Sequence, residues 1–182
     1  MFAHSPTATA TAVAAVGVSG LPLWAKLSPN TSELLDVAGA ALDAGAEALT
    51  LVNTLLGLSI DVERRRPSLG AGGGGLSGPA LHPVALRAVY DCRQAYPAAG
   101  IVGVGGVCDG EGALRMLLAG ADAVQVGTAT FADPRAPLVV LAALERELER
   151  AGFGSAAEAV GAANAPAARS SSASATGAAR PR

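Results

Sequence analysis

The chain has 182 residues, 51% hydrophobic and 15% charged, with 13 Lys and Arg against 15 Asp and Glu. That is long enough for one domain with a substantial core, and too apolar for a wholly disordered chain. The net charge of -2 and pI near 5.6 offer no basic stripe for a phosphate backbone, so nucleic acid is not expected as a partner. Two cysteines without clustered histidines suggest neither a disulfide framework nor a metal site, and point to a reducing cytoplasm. The uncharged stretch 5–25 is interrupted by Pro6 and Pro22 and has no basic region before it. It makes a poor signal peptide or membrane span.

Residues 1–20, rich in Ala, Thr and Val, are expected to be helical or frayed. From residue 21 to 153 short apolar runs alternate with helical periodicity, the pattern of a parallel sheet with crossover helices. The first strand is expected at 22–27, followed by a helix capped near Thr31 or Ser32 and closed at Gly45. A second strand is expected at 47–52. The glycine-rich stretch 55–81 reads as a long connection, in which Ser77 could cap the next helix and Arg64, Arg65 and Arg66 form a solvated run. A helix at 82–96 leads to a strand at 101–104. Asp109 then caps a helix that Gly120 stops, before a strand at 121–126 and a last helix from about Pro134 to Ala151. Residues 154–182, nearly all small or polar, are expected to be disordered. Four β/α units amount to half of a (β/α)8 barrel, an α/β fold that takes about 250 residues.

Ligands of parallel α/β folds sit at the carboxyl ends of the strands, so the residues just beyond each apolar run are the candidates. They are Lys26 and then SPN (28–30) after strand one, Asn53 and Thr54 after strand two, Gly105 and Gly106 after strand three, and Gly127 and Thr128 after strand four. Glycines at the last two strand ends match a phosphate site built from backbone N–H groups, although turn glycines would look the same. Lys26 is either an edge lysine reaching water or a cation facing an anionic ligand. His82 reads as structural, and His4 falls in an unpatterned terminus. No nucleophile triad, metal-ligand spacing or Walker loop can be assembled.

The strings WAKLSPN (24–30), LTLVNTLLGLSID (49–61), GGLSGPALHPVALRAVY (74–90), VGVGGV (102–107) and AGADAVQVGTATF (119–131) occur in that order. Together they resemble the carboxyl-terminal half of class 1 dihydroorotate dehydrogenases, and the class 1B catalytic subunit in particular. The resemblance implies a (β/α)8 TIM barrel that binds FMN and oxidises dihydroorotate to orotate in pyrimidine biosynthesis. It assigns Asn53 and Thr54 to the pyrimidine substrate. Lys26, Val52, Ser77, Gly78, Gly105, Gly106, Gly127 and Thr128 are assigned to FMN, with Lys26 beside the flavin and the glycines around its phosphate.

The catalytic base of the family comes from a loop of the first half-barrel, so no catalytic residue is expected in this chain. Class 1B implies an electron-transfer subunit with FAD and an iron–sulfur cluster, while class 1A uses fumarate. The alternatives are a non-catalytic FMN- or phosphate-binding half-barrel, closed as a homo-oligomer, and an inactive truncated relic.

Overall fold

The computed structural model describes residues 2–164. A 3-10 turn, Phe2–His4, leads into α1 (Pro6–Gly17), where Pro6 occupies the first turn and Ser5 caps it by accepting a hydrogen bond from the Ala8 N–H. β1 (Trp24–Leu27), α2 (Leu34–Asp43) and β2 (Ala48–Leu51) form the first crossover unit. Between β2 and α3 run four short strands: β3 (Leu55–Gly57), β4 (Ile60–Asp61), β5 (Arg66–Pro67) and β6 (Gly74–Leu76). Then come α3 (His82–Ala95), β7 (Gly100–Val104), α4 (Gly110–Ala119), β8 (Ala123–Gln125), α5 (Ala129–Ala132), α6 (Ala136–Arg150) and α7 (Ala156–Ala159).

β1, β2, β7 and β8 form a parallel sheet in that order, with Lys26 level with Thr50, and Thr50 with Val102. The pleat turns alternate residues to opposite faces. Leu27, Leu49, Leu51 and Ile101 face the helices and are buried with Val37, Ala41, Val89 and Met116. The other face carries Trp24, Lys26, Thr50 and Val102, with Trp24 58% exposed. α4 lies so close to α6 that a side chain at Gly110 would overlap the Ala143 backbone. Burial of the helix-facing side chains, worth roughly 1.5–3 kcal/mol each, holds the layers together.

Several boundaries differ from the sequence expectation. Thr31 does not cap α2; its Oγ1 accepts from the Glu33 N–H at 3.1 Å, closing a turn ahead of the helix, and Glu33 takes the cap position without a side-chain bond. Ser77 caps nothing, because a 3-10 turn, Pro79–Leu81, begins from Gly78 before α3. The last long helix starts at Ala136 with Pro137 in its first turn, while Pro134 lies in the turn after α5. The connection 55–76 is not a plain linker. It is a ribbon in which β3 pairs with β6 and β4 with β5, both antiparallel.

Residues 154–164 are structured as well, contrary to the expected disorder. Ser155 caps α7, Ala159 is fully buried, the Gly161 N–H donates to the Leu117 carbonyl at 2.9 Å, and Asn164 Nδ2 donates to the Ala119 carbonyl at 2.9 Å. Ala159 and the half-buried Val160 join Leu114, Leu117 and Leu148 in a small apolar cluster, and these bonds fix the backbone beside it. The rest of the expected tail, 165–182, lies outside the described residues.

Candidate functional site

The loops at the carboxyl ends of the four parallel strands enclose a cavity of about 540 Å³. Lys26, Val52, Asn53 and Thr54 line one side. Ser77, Gly78, Gly105, Gly106, Gly127 and Thr128 line the other, so all ten residues assigned to ligands from sequence meet in one cavity. Backbone bonds between strands set the convergence: the Asn53 N–H donates to the Leu27 carbonyl and the Val52 N–H to the Val104 carbonyl, both at 2.8 Å. Val52 is buried, while Lys26, Asn53, Ser77, Gly127 and Thr128 are exposed.

The turn after β7 requires glycine. Gly106 has φ +68°, and a Cβ there would stand 2.6 Å from the Gly78 carbonyl oxygen and 2.9 Å from the His82 nitrogen. The backbone of this turn is therefore pressed against the start of α3 and leaves only main chain facing the cavity. His82 holds it from behind: its buried ring donates from Nδ1 to the Gly105 carbonyl at 2.9 Å, since a carbonyl can only accept. His82 Nε2 is buried with no partner among the described residues. Gly127 differs, with open space where a Cβ would stand.

Outside helices and strands, the N–H groups of Gly106, Gly127 and Thr128 donate to no carbonyl among the described residues. Three free amides and the Lys26 ammonium on the cavity wall suit an anion. Asp133 also lines the cavity, but its carboxyl is held below the usual range by the Arg135 side-chain hydrogen bond and then by the Arg135 N–H. On the other side, Asn53 Oδ1 accepts from the Thr54 N–H at 2.8 Å, which leaves both Nδ2 hydrogens for a ligand acceptor.

Neither thiol is primed for chemistry. Cys92 is buried in α3 and desolvation pushes it up to about 12. Cys108 lines the cavity, and desolvation and then the Asp109 charge push its thiol up. Among the described residues no group of three His, Cys, Asp or Glu could hold a metal ion, and no helix is long and apolar enough to cross a membrane. Sequence reading assigned no role to Asn30 or Arg93, whose hydrogen-bond partners include residues more than twenty positions away.

A family model described as dihydroorotate dehydrogenase matches residues 2–148. A Solibacter usitatus protein provisionally named dihydroorotate dehydrogenase A (fumarate) is 50% identical over 161 residues, covering 88% of this chain and 53% of its own length. The dihydroorotate dehydrogenase B (NAD(+)) catalytic subunit of Geotalea uraniireducens is 45% identical over 163 residues, with 89% and 53% coverage. The crystal structure of an Eimeria tenella DHODH in complex with ferulenol superposes with a TM-score of 0.67 at 29% identity, over 80% of this chain and 39% of that one. The chain thus spans about half the length of the relatives it matches. With that extent of match, and with the parallel β/α sheet of a TIM-barrel family, this chain belongs to the dihydroorotate dehydrogenase family.

Proposed function

We propose that this chain forms the FMN-phosphate and pyrimidine-recognition half of a flavin-dependent dihydroorotate dehydrogenase, serving pyrimidine biosynthesis in the cytoplasm. The observation that carries the reading is the convergence on one cavity of all ten residues assigned to ligands. The residues present fit FMN. The Gly106 turn offers backbone without side chains, the free amides of Gly106, Gly127 and Thr128 suit a phosphate, and Ser77 and Gly78 stand beside them. Val52 supplies an apolar wall for a flat ring. Lys26 provides positive charge on the same wall, a fixed electrostatic contribution toward electron density on the flavin. When bound, FMN supplies the acceptor for the hydride from C6 of dihydroorotate.

Asn53 Nδ2 is free to donate to a pyrimidine carbonyl, and Thr54 offers a hydroxyl close by. A ligand lacking the matching acceptor would strand that amide, which is how such a site selects. The proton leaving C5 requires a base. Neither Cys92 nor Cys108 suits that role, and we assign the base to the part of the relatives' length that this chain does not span. The family includes relatives named for NAD(+) and one named for fumarate. We favour the class 1B form, with a partner subunit bearing FAD and an iron–sulfur cluster. That neither cysteine is suited as the base keeps one alternative: a half-barrel that binds flavin without turnover.

The test is the visible spectrum of the purified chain after incubation with FMN and gel filtration. Retained flavin near one per chain supports the reading, and addition of a first-half fragment should then restore dihydroorotate oxidation. Colourless protein would refute the flavin site in this chain. Retained flavin with no activity on complementation would favour the binding-only alternative.

A further inference from the structure

The loop after β1 reaches across to the loop after β2 through one side chain. Asn30 Nδ2 donates to the Thr54 carbonyl at 2.9 Å and to Ser28 Oγ at 2.9 Å, while Asn30 Oδ1 accepts from the Leu56 N–H at 2.8 Å. The orientation of the amide follows from its partners, because a backbone N–H can only donate and a carbonyl can only accept. Ser28 is buried, and its Oγ also accepts from the Asn30 N–H at 3.2 Å, so the amide is itself held at its root. Thr54 is gripped from the opposite side, where its side chain lies over Gly75 of β6 with no room for a Cβ.

Asn30 therefore brackets Thr54 and Leu55, the two residues that turn the chain from the cavity into the ribbon. The bracket holds the two peptides that follow Thr54, and through the Thr54 backbone it steadies the neighbouring peptide whose N–H engages Asn53 Oδ1, and so which atoms of Asn53 face the cavity. We infer that Asn30 is a positioning residue that sets the cavity-facing conformation of Asn53 and Thr54, and with it the recognition of the ligand's polar edge. The inference rests on the reading of Asn53 and Thr54 as ligand contacts given above. Asn30 itself does not line the cavity, so its effect passes through those two residues. Aspartate at this position has nearly the same shape and still accepts from the Leu56 N–H, but it cannot donate to the Thr54 carbonyl and places negative charge against it.

The experiment compares the full chain with Asn30→Asp by ¹⁵N-edited NMR and by ligand titration. In the ligand-free variant the Asn53 side-chain NH₂ and Thr54 backbone resonances move, while the amides of Gly105, Gly106 and Gly127 stay in place. In FMN-loaded protein, orotate affinity falls at least tenfold with flavin retention unchanged, a split that a general loss of structure does not produce. Unmoved Asn53 resonances, or orotate affinity equal to the parent, overturn the inference. If the parent binds no orotate, the reading of Asn53 and Thr54 as ligand contacts fails, and the ligand-free spectra still decide the role of Asn30. Should Asn30→Asp fail to fold, Ser28→Ala removes the acceptor at the root of the amide; the same resonances shift by less, and their constancy overturns the inference.

Discussion

Replacing Arg93 tests how the sheet is tied together at the end opposite the cavity. Its Nε donates to the Gly120 carbonyl and its Nη1 to the Pro97 and Ala99 carbonyls, each at 2.8 Å. Its Nη2 pairs with Asp122 at 2.7 Å, and the same Asp122 oxygen accepts from the Ile101 N–H. One guanidinium thus joins the end of α3, the turn into β7 and the turn into β8. The ion pair adds little, since Asp122 is 50% exposed and such pairs give about 0–1 kcal/mol. The bonds to Gly120 and Ala99 are partly buried, and each contributes about 1–1.5 kcal/mol. The bond to Pro97 is open to water and is discounted.

Arg93→Ala should therefore cost about 3 kcal/mol in total, a large share of a stability that for a domain is about 5–15 kcal/mol. With a urea dependence of about 2 kcal/mol per molar, the unfolding midpoint should fall by about 1.5 M. Arg87→Ala is the control: its pair with Asp91 is a one-turn helical contact with Arg87 77% exposed, and it should cost no more than about 0.5 kcal/mol. Equal midpoints for the two variants would refute the bridging role of Arg93.

Gly106→Ala should reduce retention of FMN or inorganic phosphate at least tenfold, measured by equilibrium dialysis, because its Cβ would push against Gly78 and His82. Gly127→Ala meets open space, so its thermal midpoint should match the parent, and any flavin it loses reports crowding of the ligand itself. Cys92 gives a pH prediction. Burial favours its neutral thiol in the folded chain and raises it from 9.0 to about 12, so the folded state binds that proton more tightly. The associated stability is complete below pH 9 and is lost as pH rises toward 12, at no more than about 1.4 kcal/mol per pH unit. Urea unfolding at pH 8 and pH 10.5 should show a shallower alkaline loss for Cys92→Ala than for the parent.

The inner strands β2 and β7 were legible because buried parallel strands read as apolar runs, and Asp109 and Gly120 mark the ends of α4 in residue types with a known backbone preference. The candidates at the strand ends followed from the rule that ligands gather there, whereas Val52, Ser77 and Gly78 were assigned through the family resemblance. The ribbon was missed because its strands are only two or three residues long and rich in glycine, so no periodicity exists to detect. Asn30 stood among the strand-end residues but had no role to read: an asparagine after a proline is an ordinary turn residue until its partners, 24 and 26 positions away, come into contact with it. The order of residues 154–164 was hidden because it rests on one buried alanine, Ala159, and on hydrogen bonds from Gly161 and Asn164 to α4, which composition does not reveal.

β1 is paired on one side only among the described strands, and it carries the chain's single tryptophan, Trp24, with 58% of its surface exposed. An indole in that position emits at the long wavelengths of a water-bathed ring. Any strand or chain that docks along this edge would strip water from it and shift the emission to the blue, free of interference from a second tryptophan. The protein thus carries its own optical gauge of sheet extension, readable by titrating a candidate first-half fragment against the unlabelled chain.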